Sequence, residues 1–124
     1  MKVEISVAQS TTKSNEEFAV STSIRNVSSD EQSLQIWSCS YPWQWTTDNP
    51  AVHITDTSCK KNDVIHVRLK PNEAYERTLS IHVGIVVEHL AQRPVTFRLR
   101  FKSATSDKTP YPIWSNAITI NLTE

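Results

Sequence analysis

The chain has 124 residues, 13 basic and 13 acidic side chains, and one glycine. This length suits one domain over residues 1–124, and the balanced charge gives no general attraction to nucleic acid or to an anionic membrane. A single glycine excludes the glycine-rich loops that bind nucleotides, and no segment has the roughly 20 apolar residues of a membrane-spanning helix.

The composition favours strands over helices. Valine, isoleucine and threonine together make up 34 residues, whereas alanine and leucine make up 13. β-Branched side chains pack well on a pleated sheet and lose rotamer freedom in a helix. We therefore predict an all-β protein.

Apolar and polar residues alternate along most of the chain, as is typical of strands with one buried face. Polar segments between the strands predict turns, including one at 70–73 with proline at its first central position. Residues 41–50 are predicted to be irregular, and residues 84–94 fit either a helical turn or a crossing loop. The following sets are each predicted to share one strand face: Val3, Ile5 and Val7; Phe18, Val20, Thr22 and Ile24; Leu34 and Ile36; Val52 and Ile54; Ile65, Val67 and Leu69; Tyr75, Arg77, Leu79, Ile81 and Val83; Val95, Phe97, Leu99 and Phe101; Trp114, Ile118, Ile120 and Leu122.

About seven or eight short strands with half-apolar faces need a second apolar layer to cover them. Two antiparallel sheets packed face to face provide that layer in about 100 residues. We therefore predict an antiparallel β-sandwich with Greek-key connections. A closed barrel is the alternative fold.

Three segments resemble parts of immunoglobulin-like and fibronectin-III-like domains. VTFRLRFKS and PIWSNAITINL are similar to the final two strands of such domains, and LKPNEAYERTLSIHV is similar to the turn and strand before them. The chain also resembles immunoglobulin-like domains of uncharacterised bacterial exported proteins. The resemblance implies an immunoglobulin-like sandwich and no catalytic residue.

Cys39 and Cys59 are the two cysteines of the chain. In an oxidising compartment they would close a loop around residues 41–58, and in the cytosol they would stay as thiols. A zinc site of Cys39, His53 and Cys59 has suitable ligand types but lacks CxxC spacing and a fourth ligand. We predict the disulfide and neither a metal site nor a cofactor.

The first ten residues, MKVEISVAQS, have neither the apolar core nor the cleavage site of a signal peptide. We therefore expect either a cytosolic protein or a mature domain with a start methionine. The cysteine pair favours the second interpretation, with a periplasmic or cell-surface location. The triplets that begin at Asn26 and Asn121 fit the N-glycosylation pattern, which matters only in a eukaryotic secretory pathway.

Aromatic residues form one group of candidate binding residues. Tyr41, Trp43 and Trp45 either form a platform that stacks on a flat ligand such as a sugar ring or cap one end of the sandwich. Trp43 and Trp45 are expected to be the exposed members. Tyr111 and Trp114 are further candidates for the same surface.

Basic residues form a second group. Arg98, Arg100 and Lys102 alternate with apolar residues, so they are predicted to share the outward face of one strand. They form either a basic stripe for an acidic partner or an ordinary solvated face.

Catalytic motifs such as HExxH and GxSxG are absent from the sequence, so we predict that the chain is not an enzyme. The leading hypothesis is a non-catalytic module that acts through protein contacts. The alternatives are a module that binds carbohydrate or another small ligand and, by resemblance, a protease inhibitor that uses loops 46–51 and 109–114. The inhibitor hypothesis lacks the glycine-rich loop of the chagasin-type proteins. The histidines are predicted to be ordinary surface residues: His53, His66, His82 and His89.

Overall fold

The structure, a computed structural model, describes residues 1–56, 58–84, 93–103 and 113–123. Within these ranges the regular structure is β-strand, apart from one turn of 3₁₀ helix, so the prediction of an all-β protein is confirmed. No helix among the described residues is long and apolar enough to cross a membrane. The elements are β1 (Lys2–Ser6), β2 (Thr11–Lys13), β3 (Phe18–Arg25), β4 (Gln32–Trp37), the 3₁₀ helix (Tyr41–Gln44), β5 (Trp45–Thr47), β6 (Val52–Ile54), β7 (Val64–Leu69), β8 (Ala74–Val83), β9 (Arg93–Phe97), β10 (Leu99–Phe101), β11 (Ile113–Trp114) and β12 (Ile118–Thr123).

The strands form four hydrogen-bonded groups. The largest is a four-stranded antiparallel sheet in the order β1-β3-β8-β6. Two three-stranded sheets have the orders β11-β10-β5 and β2-β12-β9, and β4 pairs with β7. All of these pairings are antiparallel except that of β2 with β12, which is parallel.

The described residues form more strands than the seven or eight expected, because two additional strands form and two predicted strands, the one from Val95 and the one from Trp114, each divide in two. β2 and β5 arise in segments predicted to be a turn and an irregular loop. The strand predicted from Val95 to Phe101 divides at Arg98, whose backbone N–H donates to Oδ1 of Asp48 at 2.7 Å rather than to a strand. β9 therefore pairs with β12, whereas β10 pairs with β5 and β11.

The predicted strand faces form the core. Phe18, Val20, Thr22 and Ile24 on β3 are all buried, as the alternation predicts. Burial of each large apolar side chain of this kind stabilises the fold by about 1.5–3 kcal/mol. One exception is Ile65, which is 46% exposed. Among the described strands β7 pairs only with β4, so the opposite edge of β7 has no neighbouring strand to cover Ile65.

The turn at 70–73 forms as predicted and anchors a buried asparagine. The Glu73 N–H donates to the carbonyl oxygen of Lys70 at 3.0 Å, and Asn72 has a φ of 70°. Proline before a residue with positive φ is typical of a type II turn. The backbone of Asn26 exchanges hydrogen bonds with this turn, donating to Glu73 at 2.9 Å and accepting from Asn72 at 2.7 Å.

The Asn26 side chain is fully buried, and all of its polar atoms are hydrogen-bonded. Its amide nitrogen donates to the carbonyl oxygens of Asp30 at 2.7 Å and Leu69 at 2.9 Å. Its Oδ1 accepts from the N–H and the hydroxyl of Ser28 at 2.9 and 2.7 Å. Asn26 is therefore inaccessible to glycosylation in the folded chain, whereas Asn121 is exposed on β12.

Gln44 joins β4 to the segment that follows β10. This side chain is 6% exposed, and its Oε1 accepts from the N–H of Trp37 at 2.9 Å. Its Nε2 donates to the carbonyl oxygens of Gln35 at 2.9 Å and Lys102 at 3.0 Å. One amide thus connects β4 to the segment that directly follows β10.

Asn116 closes the outer edge of β1, the first strand of the four-stranded sheet. Its Oδ1 accepts from the N–H of Ile5 at 2.8 Å, and its Nδ2 donates to the carbonyl oxygen of Ile5 at 3.0 Å. The side chain therefore satisfies both backbone groups that a neighbouring strand would satisfy.

A disulfide joins Cys39 and Cys59, as predicted, with their Cα atoms 5.9 Å apart. The closed loop contains the 3₁₀ helix, β5 and β6. The Oδ1 of Asn62 accepts from the N–H groups of Cys39 and Ser40 at 3.1 and 3.2 Å, next to the disulfide. Both ends of the loop are therefore held to each other.

Replacement of both cysteines by serine is expected to lower the free energy of unfolding by about 3 kcal/mol, because the unfolded chain loses its cross-link over a loop of roughly 20 residues. Urea denaturation of the wild type and of C39S/C59S measures the difference. Reductant should lower the wild-type midpoint to that of the variant and leave the variant unchanged. A wild-type urea midpoint that is the same with and without reductant would contradict this account.

Candidate functional site

The β5-β10-β11 sheet brings basic and aromatic candidate residues to one face. Arg100 on β10 lies opposite Thr46 on one side and Trp114 on the other. Residues directly opposite each other in antiparallel strands share a face. Because Leu99 and Phe101 are buried, the row of Thr46, Arg100 and Trp114 faces outward.

Trp114 was predicted to share the inward face of the last strand with Ile118 and Ile120, and this prediction is wrong. The chain leaves the ladder between β11 and β12 at Ser115, which is itself buried. The Ser115 hydroxyl accepts the N–H of Leu99 at 2.9 Å in place of a backbone carbonyl. This interruption shifts the strand alternation, and Trp114 becomes a half-buried residue of the outward face.

The guanidinium groups of Arg98 and Arg100 both lie over the Trp114 ring, 5.1 and 5.3 Å from its centroid. Cation–π contacts at partly exposed sites contribute about 0.5–1 kcal/mol each. Two candidate groups that were separate in the sequence therefore form one cluster. Lys102, the third basic candidate, is exposed directly after β10, and we call Arg98, Arg100, Lys102 and Trp114 together the basic-aromatic face.

A carboxylate positions Arg98 on this face. Oδ1 of Asp48 accepts from the backbone N–H of Arg98 at 2.7 Å, and Oδ2 accepts from its Nε at 2.9 Å. Nothing in the sequence sets the register that brings these two residues together, so sequence reasoning missed Asp48. Arg100 makes a weaker contact, from Nε to the Thr46 hydroxyl at 3.3 Å.

The charge of this face is unbalanced. Asp48 and Arg98 form an ion pair at 2.9 Å. No carboxylate of the described residues lies within 4.0 Å of the Arg100 guanidinium or the Lys102 ammonium group. The face therefore has three cationic groups and one paired carboxylate, which favours an anionic ligand group.

The ion pair makes stability depend on pH. Partial burial acts to raise the pKa of Asp48, but hydrogen bonds from the backbone and guanidinium of Arg98, with its charge, outweigh burial and lower the pKa below the ordinary 3.8. A carboxyl group with a lowered pKa in the folded state stabilises the protein above pH 3.8, and this contribution is lost as the pH falls through the folded-state pKa.

We expect D48N to be about 0.5–1 kcal/mol less stable than the wild type at pH 7, since the pair is partly exposed and screened by solvent. The difference should shrink as the pH falls below about 4, when the wild-type carboxyl is protonated. Urea denaturation of both proteins at several pH values between 7 and about 2 tests this. A difference that stays constant over this range would exclude the carboxylate as its source.

Two of the other aromatic candidates have different environments. Trp43 is 71% exposed on the 3₁₀ helix, as predicted. Trp45 is only 6% exposed, and its ring lies 5.2 Å from that of Phe101. The expectation that Trp45 is exposed is therefore wrong, because β5 forms where an irregular loop was predicted and turns this ring into the core.

Tyr41 is half-buried, and the Arg77 guanidinium lies 3.9 Å from its ring centroid. Arg77 also donates to the Tyr75 hydroxyl at 3.0 Å. These contacts within the chain occupy one face of the Tyr41 ring. The prediction for Tyr111 lies outside the described residues, as does most of loop 109–114.

Neither a family model nor a curated protein matches the chain. The described residues contain no group of three or more His, Cys, Asp or Glu side chains that could hold a metal ion. Cys39 and Cys59 are bonded to each other, so they cannot serve as the thiolate ligands considered for a zinc site. The basic-aromatic face, where two guanidinium groups lie over one half-buried indole, is the candidate functional site.

Proposed function

We propose that the chain is an immunoglobulin-like β-sandwich that acts as a non-catalytic binding module through protein contacts. The sheet order β1-β3-β8-β6 supports this fold, because immunoglobulin domains have a sheet in which the fifth strand lies between the second and the fourth. β7 departs from that pattern, since it lies between β6 and β8 in the chain and pairs with β4.

The observation that carries the binding proposal is the position of two guanidinium groups over one half-buried indole. Arginine and tryptophan are enriched among the residues that dominate binding energy at protein interfaces. Arginine also binds carboxylates through paired hydrogen bonds. The partner we propose is therefore a protein that presents acidic side chains to the basic-aromatic face.

Poly-L-glutamate is a suitable probe of this face. We expect it to bind the wild type at low salt and to bind R100A/K102A at least about tenfold more weakly, a change of about 1.4 kcal/mol. The matched control is R68A/K70A, which removes the same two residue types from β7 and the turn after it, where both are exposed. Equal weakening in both variants, or no binding to the wild type, would contradict the proposal.

Carbohydrate binding is a second candidate function, because Trp43 exposes most of its indole ring. An exposed indole offers a flat apolar surface for a sugar ring. With Trp45 buried, this platform is smaller than the sequence predicted. Titration of a glycan panel, followed by tryptophan fluorescence, should give a shift in the wild type that W43A lacks. No shift across the panel would exclude this function.

We also propose an extracytoplasmic location. The disulfide supports it, since such bonds persist mainly in oxidising compartments. Protein purified from its native source without reductant should contain no titratable thiol after denaturation. Two thiols per chain would contradict an oxidising location and leave the binding proposal untouched.

A further inference from the structure

His53 and His82 form a pair on the outward face of the four-stranded sheet. They lie directly opposite each other on β6 and β8. Their neighbours along the two strands, Val52, Val83 and Ile81, are buried, so the two histidines face outward. Their ring centroids are 5.2 Å apart, with the ring planes inclined by 27°. His53 is exposed and His82 is half-buried, so solvent reaches the pair.

The single glycine of the chain provides space beside this pair. A Cβ atom at Gly84 would lie 3.0 Å from Cδ2 and 3.1 Å from Nε2 of His53. Gly84 does not have a positive φ, so the backbone does not require glycine at this position. A side chain at Gly84 would therefore displace the His53 ring by a few tenths of an ångström.

Oxygen atoms border the same space. Oδ1 of Asn15 lies 3.5 Å from the position that a Gly84 Cβ would take, and the Asn15 N–H is held by the Val83 carbonyl at 2.8 Å. The Glu17 carboxylate accepts from the hydroxyl of Thr55 at 2.8 Å, and Thr55 directly follows β6, two residues after His53. This end of the sheet thus has two imidazoles, an amide oxygen and a carboxylate.

We infer that His53 and His82 bind a divalent transition-metal ion that prefers imidazole ligands, such as Zn²⁺. Two imidazoles on one tetrahedral ion, each with its nitrogen about 2.0–2.1 Å from the metal, have ring centroids about 5 Å apart. The two rings lie stacked with their centroids 5.2 Å apart, so the pairing of β6 with β8 holds both imidazoles within reach of one ion. Rotation of the two accessible rings turns one nitrogen of each toward the ion, and water or Oδ1 of Asn15 fills the remaining positions.

Calorimetric titration of the full chain with ZnCl₂ at pH 7.5 tests this site. We expect one ion per chain, and affinity at least about tenfold weaker in H53Q and in H82Q. H66Q is the matched control, because His66 is exposed on β7 and lies opposite Gln35 rather than another histidine. Its affinity should equal that of the wild type.

Nuclear magnetic resonance provides an independent readout. Zn²⁺ should shift the imidazole ring signals of His53 and His82 together and leave those of His66 in place. Wild-type protein that binds no Zn²⁺ at millimolar concentration would overturn the inference, as would binding that survives H53Q/H82Q. H53Q alone suffices if H82Q fails to fold, since His53 is exposed. The outcome is independent of binding at the basic-aromatic face.

Discussion

Replacement of Asn26 by alanine is expected to lower the free energy of unfolding by about 4 kcal/mol, because one fully buried amide makes four hydrogen bonds. Without it, the buried carbonyl oxygen of Leu69 loses the Asn26 amide that donates to it, and the N–H and hydroxyl of Ser28 lose the oxygen that accepts from them. Each unsatisfied buried group costs about 1–3 kcal/mol. Urea denaturation should show a much lower midpoint for N26A.

Two further variants separate hydrogen bonding from volume. N26D keeps the size of the side chain but cannot donate to the two carbonyl oxygens at its ordinary ionisation, and it buries a charge, so it should be at least as unstable as N26A. N121A, at an exposed asparagine of β12, should change stability by less than about 0.5 kcal/mol. A loss below about 1 kcal/mol in N26A would show that these bonds contribute little.

Gln44 is the second position where we expect a large effect. Replacement of Gln44 by leucine keeps the approximate side-chain volume. It removes the amide that bonds the N–H of Trp37 and the carbonyl oxygens of Gln35 and Lys102. Q44L should therefore lose about 3–4 kcal/mol of stability, even though leucine is more apolar. Thermal denaturation followed by circular dichroism measures the change.

Q9L is the matched control for Q44L. Gln9 is exposed and donates one hydrogen bond, to the carbonyl oxygen of Thr11 at 2.9 Å. Its replacement should change stability by less than about 0.5 kcal/mol. If Q44L is as stable as Q9L, the buried amide is not what joins β4 to the segment after β10.

The strand faces could be predicted because alternation is a local property of the sequence. Phe18 to Ile24 on β3 and Val95 to Phe101 on β9 and β10 have their apolar residues buried as expected. The pattern contains no information about which strands become neighbours. Ile65 shows the consequence, since its exposure depends on what lies beyond β7 and not on its own strand.

The candidate site shows the same limit. Strand alternation correctly put Arg98 and Arg100 on an outward face. Their contact with Trp114 depends on the β10-β11 register and on the interruption at Ser115. The burial of Trp45 depends on pairing between β5 and β10, which lie about 50 residues apart in the chain. Such long-range choices depend on side chains such as Asp48 that no local pattern identifies.

The amide of Asn116 at the edge of β1 has a consequence for crowded conditions. A second molecule that tried to extend the sheet would first have to displace an intramolecular side chain from Ile5. At Ile5, the addition of a strand from another copy would therefore break two hydrogen bonds within the chain. The amide thus makes the backbone of Ile5 unavailable as a template for a further strand when the local concentration is high.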